Sequence, residues 1–355
     1  MTIAAAAAAL AADGLLASLD PEQRAAATLP DGPALIIARA GSGKTTTLVA
    51  RLGVLVSRGV APERIGVVTF NREAAAELSA RIEVRLGSLP GVERIEVRTL
   101  HAMARQVLLD AGRLPDLVAD RGPLLRRARR EAAAAAEATT VPDVQRLDTE
   151  LSAWKVERRE PSDEARPALD GYQALLAARG ALDFDDLVAG AVLALERDPA
   201  LRARWQTRFS HLCVDEFQDV DAAQLSLVRI LAAPEDNLFV VGDDDQTIYA
   251  WRLADVRRIL RFSADYADAR RVMLATNYRC PASVVAASAG MVARNQERFV
   301  KPIRAPATAP PATEAIAAWS TADPGWPEAL ARLAAGEDRA RRSLCFLSRT
   351  RNELT

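Results

Sequence analysis

The stretch Ala34 to Leu48, ALIIARAGSGKTTTL, constrains this chain more than any other. Its opening, Ala34-Leu35-Ile36-Ile37, is an apolar run with the length of one buried strand, and a loop of small residues then delivers Gly43-Lys44-Thr45 to the start of a helix expected over Thr45 to Ser57. Strand, glycine turn, Lys-Thr and helix in that order describe a phosphate cradle. Gly41 and Gly43 allow the backbone to turn with its N–H groups pointing inward and to approach phosphate oxygens more closely than a Cβ permits. The helix aims its positive end at the same spot. Lys44 then reaches the β- and γ-phosphates, and the Thr45 hydroxyl holds Mg²⁺. The plainer alternative, an ordinary Gly-Ser turn, does not account for all four features occurring in sequence. Two positions depart from the motif: Ala38 stands where a glycine is usual, and Arg39 puts a bulky side chain into the loop.

A chain of 355 residues with 50% apolar content buries a large core and is expected to divide into two or more domains. The net charge is −1, so no overall field draws it to nucleic acid, and any such binding depends on local arginine placement. Only Lys44, Lys155 and Lys301 are lysines, against many arginines, and one of them occupies the cradle, where a compact ammonium is wanted. Cys213, Cys280 and Cys345 are odd in number and far apart; they fit neither a disulfide framework nor a zinc site and point to a reducing, cytoplasmic setting. The alanine-rich start, Ile3 to Ala12, lacks a basic lead and reads as a frayed tail rather than a signal peptide. No apolar run approaches membrane-spanning length.

Asp20-Pro21-Glu22-Gln23 carries a helix-start signature, with Asp20 as N-cap, Pro21 at the first helical position and Gln23 three residues past the cap. That by itself explains Gln23; the functional alternative is that Gln23 reads the edge of an adenine. Ile65 to Thr69 reads as a second buried strand, followed by an amphipathic helix, and Arg94 to Arg98 as a third strand. His101 has no Cys or second His nearby and is a poor metal ligand. From about Ala102 to Leu201 the pattern turns helical; its Arg126-Arg127-Ala128-Arg129-Arg130 cluster reads as a solvated face, and Asp183 or Asp185 as an N-cap. Strands return at His211 to Val214, which runs into Asp215-Glu216, and at Leu238 to Val241, which runs into Gly242-Asp243-Asp244-Asp245-Gln246. Short apolar runs alternating with helices, with carboxylates at the strand ends, describe an α/β fold: a parallel sheet covered on both faces, with ligands at the carboxyl ends of its strands. Asp215 and Glu216 are then the pair that phosphoryl chemistry needs, one orienting Mg²⁺ and the other taking a proton from water.

In these motifs the chain resembles the UvrD/Rep-like DNA helicases of superfamily 1. The resemblance runs in family order from about residue 15 to 300 through Leu19–Thr28, ARAGSGKT, TFNREAAAEL, RTLHAMA, DFDDLV, VDEFQD, VGDDDQTIYAWRLAD and NYRCPASVV. It implies a P-loop NTPase with a RecA-like ATP-binding domain over 13–101 and 201–279, an inserted helical subdomain over 102–200, and the start of a second RecA-like domain, incomplete, over 280–355. It implies ATP and Mg²⁺ as cofactors. Gln23 would read adenine, while Ala38, Arg39, Ala40, Gly41, Ser42, Gly43, Lys44, Thr45 and Thr46 would cradle the phosphates. Thr45 and Asp215 would hold the metal, Glu216 would activate water, and Gln246 and Arg279 would contact the γ-phosphate. Phe70, His101, Tyr249 and Trp251 would line a single-strand track, where aromatic faces stack on bases.

The implied activity is an ATP-dependent helicase or translocase of 3′-to-5′ direction, acting on single-stranded DNA and duplex junctions, with repair or replication proteins as further partners and no membrane. Two departures qualify it. Asn71-Arg72-Glu73 replaces the family's Thr-Asn-Lys, and Arg39, in place of a glycine, is expected to narrow the pocket or add a phosphate partner. Family members also continue past this point with two further motifs, so the chain is expected to be a fragment or a short relative and, alone, a weak ATPase. The alternative reading is an ATP-dependent DNA-binding or regulatory module without motor activity; a nucleotide kinase leaves DEFQD and GDDDQTIYAWR without a role.

Overall fold

The computed structural model of the protein describes residues 14–113, 116–135, 140–248 and 253–308. Four strands, β1 (Ala34–Ala38), β2 (Ile65–Thr69), β6 (His211–Val214) and β7 (Leu238–Gly242), are buried along their whole length. They occupy the middle of a six-stranded sheet whose edges are β3 (Glu96–Thr99) and β8 (Arg270–Leu274), in the order β3-β2-β6-β7-β1-β8. Every pairing is parallel, with Ala34 opposite Phe239 and Arg270, and Ile65 opposite His211. Two further short strands, β4 (Asp116–Leu117) and β5 (Ala181–Leu182), pair with each other away from this sheet.

Strand alternation explains why the central runs are apolar throughout. Leu35, Ile37, Val68, Leu212, Val214, Leu238 and Val240 pack into one core, together with the helices Leu100–Asp110, Phe184–Arg197 and Ala222–Ala232. The intervening residues Ala34, Ile36, Ala38, Val67, Cys213, Phe239 and Val241 face a second core under the helices Lys44–Ser57 and Arg72–Leu86. The edge strand β8 was not read from the sequence. Its first two residues, Arg270 and Arg271, are exposed, and only its carboxyl end reaches the core, so it lacks the apolar run that betrays the central strands.

Between β3 and β6 the chain is almost wholly helical. The helices Gly122–Ala135, Val144–Glu157 and Arg166–Ala177 enclose a third core built on Leu124, Leu147, Leu151, Leu169 and Tyr172. The flanking helices Leu100–Asp110 and Phe184–Arg197 belong instead to the sheet's core. Among the described residues, no helix is long and apolar enough to cross a membrane.

Candidate active site

The cradle forms as its residues demand. Gly41 and Gly43 have φ of 73° and 80°, a left-handed backbone that side chains with a Cβ rarely adopt. Space forbids a Cβ as well: at Gly41 it would lie 2.7 Å from Asn277 Oδ1, and at Gly43 2.5 Å from Gln23 Nε2. The P-loop helix starts at Lys44 directly behind Gly43, so its unpaired N–H groups face the turn.

A cavity of about 360 Å³ opens at the carboxyl ends of the strands. It gathers Ala40, Gly41, Gly43, Lys44, Thr45 and Thr46 of the cradle with Glu216 behind β6, Gln246 behind β7 and Arg279 beyond β8. Lys44 Nζ donates to Glu216 Oε2 at 2.6 Å, and Gln218 Nε2 donates to the same oxygen at 2.9 Å. Glu216 is held in the left-handed region, φ 51°, a conformation that costs a non-glycine residue about 1–3 kcal/mol and that turns its carboxylate into the cavity mouth. Neighbouring Asp215 accepts from the Glu216 N–H at 3.1 Å. Burial first, and then the Glu216 charge, push the Asp215 carboxyl up to about 6. A desolvated carboxylate beside a second one, with the nearest lysine committed to Glu216, is the chemistry of a divalent cation site. Asp215 has the character a Mg²⁺ ligand needs, and Thr45 lines the cavity.

Several expected cradle residues do not line the cavity. Ala38 is a buried member of β1, and the Ser42 hydroxyl donates to Arg39 O at 2.7 Å, closing the loop on itself. Arg39 is not among the residues that line the cavity and does not narrow it. It is buried, its Nη2 lies 3.7 Å from Asp245 Oδ2, and it donates to Lys301 O at 3.4 Å, because that side of the loop offers carboxylates to a desolvated guanidinium. Gln23 completes the capping box with Asp20, as the helix-start signature predicts, and its Nε2 donates to Ser42 O at 2.9 Å. Gln23 is thereby buried against the loop and is not among the cavity's lining residues. Glu73 stands in the first turn of a helix whose N-cap, Asn71, accepts from Ala74 N at 2.7 Å; an acid there complements the helix dipole.

Two lining residues went unread. Arg81 reaches the cavity from the helix Arg72–Leu86, where the sequence shows only one more arginine on a solvated face. Tyr278, inside the NYRC motif, lines the cavity too; its N–H donates to Gly41 O at 2.8 Å and its hydroxyl to Asp20 Oδ2 at 2.5 Å. Burial and then Asp20 push the Tyr278 phenol up to about 12. Of the aromatic track, Phe70 is half-buried at the end of β2, and His101 meets Phe184 edge-on at 5.9 Å, with Phe184 itself exposed. Tyr249 and Trp251 lie outside the described residues.

The sequence matches the UvrD/REP helicase N-terminal domain family over residues 19–267. It is 34% identical over 315 residues to the ATP-dependent DNA helicase PcrA of Staphylococcus epidermidis, an alignment covering 81% of this chain and 42% of that protein. The PcrA of Staphylococcus aureus is 33% identical over the same span, with the same coverage of 81% and 42%. The chain thus spans less than half the length of these relatives. Parallel sheet, glycine cradle, the Lys44–Glu216 pair and this similarity lead to one conclusion: the chain belongs to the UvrD/REP helicase family.

Proposed function

We propose that the chain is the ATP-binding portion of a DNA helicase or translocase of 3′-to-5′ direction, which hydrolyses ATP to move on single-stranded DNA. The observation that carries this reading is the convergence of Lys44, Glu216, Gln246 and Arg279 on one cavity from four separate parts of the chain. Lys44 and Glu216 are paired with each other. A triphosphate entering the cavity takes the ammonium, which frees the Glu216 carboxylate to accept a proton from the attacking water. Gln246 and Arg279, with Arg81 beside them, hold the terminal phosphate, and the Tyr278 ring offers a face to the base. Mg²⁺, when bound by Thr45 and Asp215, neutralises phosphate charge.

In the same reading, Phe70, His101, Phe184, Tyr249 and Trp251 form a stacking track for single-stranded DNA, at about 1–3 kcal/mol per base. Residues 102–200 act as an inserted helical subdomain; the separate core of the helices from Gly122 to Ala177 supports the middle of that range, while the helices Leu100–Asp110 and Phe184–Arg197 at its ends pack into the sheet's core. Residues 280–355 are the start of a second RecA-like domain. The test is ATP turnover with and without single-stranded DNA. Stimulation by DNA that disappears in Glu216→Gln, with nucleotide binding retained, is the expected result. DNA retention that depends on ATP but proceeds without any turnover overturns the motor reading.

A further inference from the structure

Behind β7, ligand atoms of Asp243, Asp244 and Asp245 lie within 4.8 Å of one another. Carboxylates this close repel unless a cation stands among them. Lys301 is that cation. Its side chain is 2% exposed, and its ammonium donates to Asp243 Oδ1 at 2.6 Å and to Asp244 Oδ1, and lies 3.2 Å from Asp245 Oδ2. Three N–H donors meet three acids, and the ammonium takes the place a metal ion would need. The residues leading to Lys301 reinforce the arrangement: Arg298 bonds both oxygens of Asp245 at 2.9 and 2.8 Å, and Phe299 N donates to Asp244 Oδ2 at 2.7 Å. A buried ion cluster is a weak source of stability compared with apolar packing, so its value lies in what it orients.

It orients Gln246. The Asp243 oxygen not taken by Lys301, Oδ2, accepts from Gln246 Nε2 at 2.5 Å, and Gln246 lines the nucleotide cavity. A γ-phosphate oxygen in that cavity competes with Asp243 for this amide, and Asp243 stays neutralised by Lys301 when the amide leaves. Lys301 also meets the opposite wall, since its carbonyl accepts from Arg39 in the P-loop at 3.4 Å. One residue therefore touches both sides of the phosphate site without entering it.

We propose that Lys301 is a positioning residue for γ-phosphate recognition: through Asp243 it sets the amide of Gln246, which makes the segment 295–304 part of the apparatus that distinguishes ATP from ADP. This rests on the nucleotide-binding reading above. Equilibrium titration of the whole chain with a non-hydrolysable ATP analogue and with ADP tests it. Lys301→Met is expected to lower the preference for the ATP analogue over ADP about tenfold, the scale of one charge-assisted hydrogen bond, while ADP affinity stays within about twofold. In a Gln246→Ala background the same substitution is expected to change the preference no further. Should Lys301→Met fail to fold, Asp243→Asn, which keeps the shape but leaves one side-chain acceptor for the Lys301, Gln246 and Asp245 N–H donors, carries the same expectation. The proposal is overturned if wild type shows no preference, or if the variant loses affinity for both nucleotides equally or for neither. A wild-type chain that binds neither nucleotide defeats the P-loop reading itself, a separable outcome.

Discussion

Lys44 and Lys155 make chemically similar ion pairs and serve opposite ends. Lys155 is 4% exposed and its partner Asp183 2%. The ammonium donates to Asp183 at 2.8 Å and Asp186 at 2.7 Å, the Tyr172 hydroxyl adds a bond to Asp183 at 2.8 Å, and the two acids form the capping box of the helix Phe184–Arg197. Every group there is satisfied inside the protein, so nothing invites exchange. Lys44 and Glu216 are 13% and 33% exposed and face the cavity, where each can take a new partner. A fully enclosed pair locks helices together, whereas a pair at a cavity mouth is poised to be broken by a ligand. Lys301 stands between the two cases, enclosed like Lys155 yet one hydrogen-bonded acid removed from the cavity. All three lysines of this arginine-rich chain thus serve carboxylates that need a compact ammonium.

The contrast breaks first at Lys155. Lys155→Met leaves Asp183 and Asp186 buried without their cation and is expected to cost about 3–5 kcal/mol in chemical denaturation, with nucleotide affinity of the folded fraction unchanged. Equal loss of affinity would mean that the two networks are one. Lys44→Ala is the reverse case: nucleotide affinity is expected to fall about 10–100-fold in a binding titration, while the midpoint of unfolding moves by less than about 1 kcal/mol, since Glu216 keeps Gln218 and access to water. Tyr172→Phe removes one of several bonds to Asp183 and is expected to cost about 1 kcal/mol, sharpening how far the Lys155 network is over-determined.

A further prediction concerns pH at the Lys301 cluster. Burial works against ionisation of Asp245, but the Arg298 hydrogen bond and the Lys301 charge prevail and hold its carboxyl down at about 2. A carboxyl lowered on folding contributes stability above its unfolded pKa and loses it as pH falls through the folded value. The expected result is a stability contribution present above about pH 4 and lost toward pH 2, absent from Asp245→Asn in denaturation curves across that range.

Legibility followed the range of the interaction. The glycine turn ahead of Lys44, the Asp20 cap, and strands such as Ile65–Thr69 depend on contacts a few residues apart, and each was readable where it stands. Gln23 shows the limit: the cap was visible, but its bond to Ser42 needed the fold to bring helix and loop together. Arg81 and Tyr278 were missed because an arginine or tyrosine looks alike on a solvated face and at a cavity.

The amino-acid order by itself determined that a phosphate cradle exists, that acids stand at strand ends, and that the sheet is parallel, because these follow from backbone sterics and alternation. Which charged groups meet was decided only by tertiary structure. Arg39 turned toward Asp245 rather than into the cavity, and Lys301 settled among three aspartates, because a buried charge takes whatever opposite charge the packed chain brings within reach. No local pattern encodes that choice.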